Sequence, residues 1–296
     1  MPDLAGRTAI VTGGNSGIGF HTAKELAAHG ATVVLACRNL DLAAAAMERM
    51  TGDVRAVHLN LASMASVREF GEAWEGSLDL LINNAGVMAP PRPATTEDGF
   101  ERQFGTNHLG HFVLTGLLLQ ALVKSDHGRV VTVASIAHHD GTDAVLEGNR
   151  GGGYNAQKTY SNSKLANLLF AMELHRQLVA HDLPVTATAA HPGVSATGLV
   201  GDREGMGANA FMRTVGAGFV KVFTQSAAAG ARATLYAATE AEPGSYTGPQ
   251  VLGETRGRIG PARLSPQARD EKLARRLWQV SEELTGFRYD WDGAQL

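Results

Sequence analysis

The run Arg7-Thr8-Ala9-Ile10-Val11-Thr12, followed at once by Gly13-Gly14-Asn15-Ser16-Gly17-Ile18-Gly19, decides the fold. The first six residues are a short β-branched stretch suited to a buried strand. The glycines then turn the chain, and a helix is predicted from about Gly17 to His29. Strand, glycine-rich turn and helix in that order make a cradle for phosphate. Glycine lets the backbone approach a pyrophosphate, and the helix N-terminus offers free amides and a partial positive charge. The spacing is Gly-x-x-x-Gly-x-Gly, with three residues between the first two glycines where the common dinucleotide fingerprint has one. A glycine turn without a ligand is the plain alternative, and the flanking strand and helix weigh against it.

Working outward, Thr32–Ala36, Val54–Leu59, Leu78–Ile82, Arg129–Ser135 and Val185–Ala190 read as further strands, with Tyr246–Leu252 as the last. Helices are predicted over Asp41–Met50, Ser66–Trp74 with Ser63 or Ser66 as cap, a segment carrying Asn107, the stretch from Tyr160 to about Ala180, Ser226–Ala238, and a C-terminal run 266–285 opened by Ser265-Pro266. Strands alternating with helices at this rhythm predict a single α/β domain over 1–296. It is a Rossmann-like, doubly wound parallel sheet of about seven strands with helices on both faces. Ligands of such sheets bind outside the carboxyl ends of the strands, where the glycine turn, Arg38 and the Asn84 of Asn83-Asn84-Ala85-Gly86 all fall. At the end of the second strand the residues are Cys37-Arg38-Asn39, with no carboxylate to hold a ribose 2′-hydroxyl. The fork and charge of Arg38 suit a 2′-phosphate, so NADP is expected over NAD. An ordinary exposed arginine is the alternative.

Chemistry is suggested by Thr159-Tyr160-Ser161-Asn162-Ser163-Lys164. Positions i and i+4 share a helix face, so Tyr160 and Lys164 project side by side, and a neighbouring cation favours phenolate over phenol. The expected consequence is a Tyr160 pKa below the ordinary value of about 10. The same spacing also arises by chance on solvated helix faces. Ser135, at the carboxyl edge of its strand, places a hydroxyl where it can bond a substrate carbonyl. Asn107, polar in an apolar context, reads either as a kink held by the amide, with a free carbonyl left for a water, or as an ordinary helix-breaking residue. His108 and His111 lack the acidic partner and spacing of a zinc site. The polar, glycine-rich 136–157 stretch, with His138-His139-Asp140, reads as a pocket wall, and His139-Asp140 as a solvated turn rather than a catalytic pair. The oily, glycine-interrupted run 198–224 reads either as a flap over a lipophilic substrate or as core helix.

The formal charge of −3, with Lys and Arg scattered, leaves no stripe for nucleic acid. No window approaches 18 apolar residues free of charge, so no membrane anchor is expected, and the chain reads as soluble and cytoplasmic. The single cysteine, Cys37, reads as a small buried hydrophobe. A homo-oligomer, dimer or tetramer, is expected through the broad apolar face of the Tyr160 helix.

With these residues assembled, the chain resembles the short-chain dehydrogenase/reductase family over nearly its whole length. The resemblance rests on Thr12-Gly13-x-x-x-Gly17-x-Gly19, Asn83-Asn84-Ala85-Gly86, Asn107, Ser135, Tyr160-x-x-x-Lys164 and Pro192-Gly193, in that order. Ala36-Cys37-Arg38, Asn107-His108-Leu109-Gly110-His111-Phe112 and Tyr160-Ser161-Asn162-Ser163-Lys164-Leu165-Ala166-Asn167 look like its retinol dehydrogenase-like and protochlorophyllide reductase-like branch.

The resemblance implies Tyr160 as proton donor in carbonyl reduction and base in alcohol oxidation, with Lys164 lowering its pKa and binding the nicotinamide ribose. Ser135 is implied to orient the substrate oxygen, and Asn107 to hold a water through which Lys164 exchanges protons. It further implies Gly13, Asn15, Ser16, Gly17, Ile18 and Gly19 around the pyrophosphate and its ribose, and Asn60 and Leu61 at adenine. Asn84, Ala85 and Gly86 fall on the ribose side, and Pro192, Gly193, Val194 and Thr197 near the carboxamide. Asn60 stands where the family commonly has Asp, and its amide carbonyl can accept the same bond. The function expected is an NADP(H)-dependent oxidoreductase acting on an apolar ketone, aldehyde or secondary alcohol. A silent NADP-binding sensor on the same fold and a carbon–carbon double-bond reductase are the alternatives; a serine hydrolase lacks its Gly-x-Ser-x-Gly elbow.

Overall fold

In a computed structural model of the chain, residues 1–148, 153–196 and 225–294 are described. The strand that opens the sequence, Thr8–Thr12 (β1), lies inside the main sheet. It is followed by Thr32–Cys37 (β2), Val54–His58 (β3), Leu80–Asn83 (β4), Arg129–Val133 (β5) and Thr186–Ala190 (β6). The two-residue strands Ser195–Ala196 (β7) and Gln225–Ser226 (β8) pair in parallel apart from the main sheet, and Tyr246–Val251 (β9) and Arg256–Pro261 (β10) complete its far edge. Among the described residues the main sheet has eight strands in the order β10-β9-β6-β5-β4-β1-β2-β3, parallel except where β10 runs back along β9. The sequence expectation of a parallel sheet of about seven strands holds, and β10 adds an antiparallel edge strand that the sequence did not show. Arg256-Gly257-Arg258-Ile259-Gly260-Pro261 carries no apolar run, because an edge strand has one neighbour and is only half buried, and Pro261 is tolerated at such an edge.

From β1 the chain winds outward to β2 and β3 on one side and to β4, β5 and β6 on the other. The winding therefore reverses between β1 and β4, which opens a crevice at their carboxyl ends. Successive residues of each strand face opposite layers. Ile10, Val34, Leu81 and Val130 join Phe104, Phe112 and Leu169 in one core, while Ala9, Val11, Val33, Leu35, Leu80 and Ile82 join Leu26 and Leu235 in the other. Burial on both faces is why these strands read as continuous apolar runs.

Helices Gly17–Ala28 and Ala227–Thr239 cover the second layer; Met64–Glu72, the segment 102–123 and Ala156–Ala180 cover the first. The Ala156–Ala180 helix is started by Asn155, whose Oδ1 accepts the Lys158 amide at 2.9 Å. From Thr159 to Ala171 every one of its residues is buried. It is packed on one side by the chain's own C-terminal helix, Glu271–Thr285. Trp278 stacks on Phe170 with ring centroids 5.8 Å apart and meets Phe112 edge-on at 5.0 Å, and the Tyr289 hydroxyl donates to the Phe112 carbonyl at 2.7 Å. That helix starts later than the sequence suggests, since Ser265-Pro266 instead opens a short turn, Gln267–Arg269. Among the described residues no helix is long and apolar enough to cross a membrane. Thr197, Gly151, Gly152 and the expected flap 198–224 lie outside the described residues.

Candidate active site

The crevice is built on the turn after β1. Gly13 and Gly17 have φ of +65° and +55°, the left-handed region that L side chains rarely adopt. A Cβ at Gly19 would overlap the Asn84 side-chain amide and the Gly13 carbonyl, so the helix can approach the turn only with glycine there. Ser16 stands at the N-cap of helix Gly17–Ala28 without making a side-chain capping bond, and no acidic residue occupies the first turn. The amides and partial positive charge of this helix end are therefore directed at the crevice rather than consumed by the chain. Thr12 ties the turn to its neighbour: its Oγ1 accepts the Asn84 and Ala85 amides, each at 2.9 Å, and the Asn84 side-chain amide donates to the Thr12 carbonyl at 2.8 Å.

A cavity of about 760 Å³ opens along this edge, a volume in the range of small-molecule and cofactor sites. It is lined by Gly13, Asn15, Ser16, Gly17, Ile18 and Gly19, by Arg38, by Asn60 and Leu61, and by Asn84, Ala85 and Gly86. Ser135, Tyr160, Lys164, Pro192, Gly193 and Val194 line it as well. Of the expected site residues that are described, Asn107 lies behind the wall rather than on it, and Thr197 is among those not described. The glycine cradle, the uncapped helix end and the exposed Arg38 fit an elongated anionic group such as a dinucleotide.

Ser135 lies two residues beyond β5, as the N-cap of the turn Ile136–Asp140, and its Oγ accepts the Ala137 amide at 3.2 Å. Tyr160 and Lys164 share one helix face, with the Lys164 Nζ 5.8 Å from the phenol ring centroid. The sequence expectation that Lys164 depresses the Tyr160 pKa is corrected here. Burial pushes the phenol up to about 12, with the hydrogen-bonded Ser135 side chain opposing it, and Lys164 is itself driven down to about 8 by burial. The ammonium is spent on the Val133 carbonyl, to which it donates at 3.1 Å, and Asn167 Nδ2 shares that acceptor at 3.2 Å.

The Asn107 kink is a π turn, Gly105–Leu109, inserted between helices Arg102–Phe104 and Gly110–Leu117. As the sequence suggests, the amide holds it: Oδ1 accepts the Val87 amide at 2.8 Å, and Nδ2 donates to the Val87 carbonyl and to Ser163 Oγ, both at 3.0 Å. The backbone carbonyl, expected to be left free, instead accepts a bond from His111 Nδ1 at 2.9 Å. Asn60 also differs from expectation. Its Oδ1 already accepts the Ala62 amide at 3.1 Å, and its Nδ2 donates to Glu97 Oε1 at 3.0 Å, which brings a carboxylate beside it.

Cys37 is buried, and burial raises its thiol to about 11. His138 is buried, its Nδ1 lies 2.7 Å from the Ser135 carbonyl, and its Nε2 accepts the Ser265 amide at 3.2 Å. His139 and Asp140 beside it are exposed. Sequence reasoning did not single out Thr12, Ser163 or His111 as site residues. Thr12 and Ser163 had a local signal, one ending the strand before the glycine turn and the other one helical turn from Tyr160, whereas His111 acts across the fold.

A family model described as short chain dehydrogenase matches residues 7–207. Retinol dehydrogenase 13 of Homo sapiens is 41% identical over 294 residues, covering 96% of this chain and 86% of its own length. Polyprenol dehydrogenase of Mus musculus is 40% identical over 298 residues, covering 97% and 86%. Among solved structures, an uncharacterized protein from Mycobacterium paratuberculosis superposes with a TM-score of 0.80 at 42% identity, covering 98% of this chain and 97% of that one.

Proposed function

The chain belongs to the short chain dehydrogenase family, and on that premise we propose that it is an NADP(H)-dependent oxidoreductase reducing the carbonyl of a lipophilic small molecule, or oxidising the corresponding alcohol. The observation that carries the reading is the convergence of Tyr160, Ser135 and Lys164 at one end of a cavity whose other end is the glycine turn and Arg38. A nicotinamide bound there supplies or accepts the hydride.

The residues of the chain do the rest. Ser135 Oγ holds the substrate oxygen beside the Tyr160 hydroxyl, which gives its proton to that oxygen during reduction and takes it back during oxidation. With the phenol at about 12, Tyr160 carries its proton throughout the neutral range, so reduction needs no prior ionisation. Lys164 keeps a positive charge behind the phenol, and any charge that develops on Tyr160 is stabilised by it. Arg38, exposed at the end of β2 with a fork and charge suited to a 2′-phosphate, supports NADP. Val87, Met88, Ile136, Ala137 and Val194 give the wall its apolar character, and the names of the retinol and polyprenol dehydrogenases point to the same kind of substrate.

The test is NADPH oxidation followed at 340 nm over a series of straight-chain aldehydes and ketones. Burial of each added methylene is worth about 0.8 kcal/mol, so kcat/KM should rise roughly threefold to fourfold per carbon until the pocket is filled. No turnover of any carbonyl, or a preference for short polar ones, would remove the reading. Tyr160→Phe should keep NADPH binding and lose turnover.

A further inference from the structure

We propose that His111 is a positioning residue that couples the nucleotide turn to the catalytic turn. It is fully buried in helix Gly110–Leu117, and both its ring nitrogens are used. Nδ1 lies 2.9 Å from the Asn107 carbonyl and Nε2 lies 2.9 Å from Thr12 Oγ1. A carbonyl can only accept, so Nδ1 carries the proton, and in the neutral ring Nε2 must then accept. Thr12 is the matching donor, because its two acceptor positions are filled by the Asn84 and Ala85 amides and its one proton lies nearer the His111 nitrogen at 2.9 Å than the competing Ile82 carbonyl at 3.2 Å. The result is a directed chain of bonds. It starts at the Asn84-Ala85 segment, passes through the Thr12 hydroxyl and the His111 ring, and ends on the carbonyl of the π turn.

The two ends of this chain bear on different steps. Thr12 sits immediately before Gly13, so its hydroxyl fixes the floor of the phosphate cradle. Asn107 sits on the π turn, strapped through Ser163 to the Tyr160 backbone, where Ser163 Oγ donates to the Tyr160 carbonyl at 2.7 Å. A Cβ placed on Gly86 would lie 3.1 Å from Asn107 Oδ1 and 3.5 Å from Lys164 Nζ, so the Asn107 side chain and the lysine both pack against the cavity-lining Gly86. Lys164 also acts electrostatically on His111, lowering its pKa beyond the effect of burial. A core histidine with only a packing role would not need two opposed polar partners ninety-nine and four residues away.

The inference rests on the oxidoreductase reading for its catalytic half; its binding half is read without turnover. An asparagine amide reproduces the Nδ1 end of histidine and a glutamine amide reproduces the Nε2 end, so the two substitutions cut the chain at opposite ends. NADPH binding is measured by quenching of tryptophan fluorescence, and kcat at saturating NADPH with the best carbonyl from the screen. His111→Gln keeps the Thr12 link and frees the Asn107 carbonyl. It should lower kcat by roughly fivefold to tenfold, more than it weakens NADPH binding. His111→Asn does the reverse, weakening NADPH binding by roughly fivefold to tenfold, more than it lowers kcat. Thr12→Val, which deletes the hydroxyl and keeps the shape, should reproduce the His111→Asn pattern and stands in for it if that variant does not fold. Equal proportional losses in both measurements for both histidine variants, or no loss in either, would overturn the proposal. If the parent chain binds NADPH but turns over no carbonyl, the oxidoreductase reading fails and the ordering of the binding constants still decides this one.

Discussion

Lowering the pH from 7 to 5 should destabilise the fold through its interior histidines. His108, His111 and His138 are each 1% exposed, and burial pushes their pKa values down to about 3, 4 and 4. The native rings therefore stay neutral at pH 5, while in the unfolded chain the same rings take up protons as the pH falls through about 6.5. The unfolded state is then the proton-rich one, so the stability present above pH 6.5 is lost progressively below it. For one such histidine the integrated loss between pH 7 and 5 is about 1.9 kcal/mol. Three independent sites give about 6 kcal/mol, comparable to the whole stability of an ordinary domain. Urea unfolding at the two pH values, fitted with a common m, measures the difference.

A single substitution isolates one site. His108 Nε2 lies 2.8 Å from Ser281 Oγ, which itself donates to the Leu277 carbonyl, so the ring nitrogen is the donor. His108→Gln can keep that bond and removes the titrating ring, and it should shrink the pH 7-to-5 difference by about 2 kcal/mol. A parent chain equally stable at both values, or a His108→Gln variant with the parent's full difference, would refute the reasoning.

Three further outcomes are expected. Arg38→Ala should lower kcat/KM for NADPH by roughly tenfold to a hundredfold while leaving NADH almost unchanged, and equal losses with both cofactors would refute a 2′-phosphate role. Gly19→Ala should weaken NADPH binding by at least roughly tenfold without unfolding the chain, because its Cβ would push apart the Asn84 amide and the Gly13 carbonyl; fluorescence titration with circular dichroism as the control reads this. Trp278→Ala should cost about 3–5 kcal/mol of stability, since the ring fills the space between Phe112, Phe170 and Tyr289; a urea midpoint within error of the parent would refute it.

Much of the fold is legible in the chain because the signals involved are local. A strand with both faces buried is a short apolar run, a left-handed turn is a glycine, and a shared helix face is a spacing of four. Those rules place β1 to β6, the turn at Gly13–Gly19 and the Tyr160–Lys164 face within a residue or two of where the structure has them. They miss β10, because a half-exposed edge strand has no apolar run to show. They also leave open what covers one side of the Ala156–Ala180 helix, since an apolar stripe looks the same whether it meets another subunit or the chain's own C-terminal helix.

What tertiary structure alone decided is the electrostatics and the wiring of the site. From the sequence, a lysine four residues from a tyrosine lowers the phenol; in the fold, burial of both groups outweighs that pairing and the phenol rises. The Asn107 carbonyl looks free in sequence and is taken by a histidine whose other nitrogen reaches Thr12, and the Asn60 amide is drawn to Glu97. Desolvation and hydrogen bonding depend on neighbours brought together from distant parts of the chain, so residue type and spacing pointed to groups that line one cavity, and packing set their protonation and their partners.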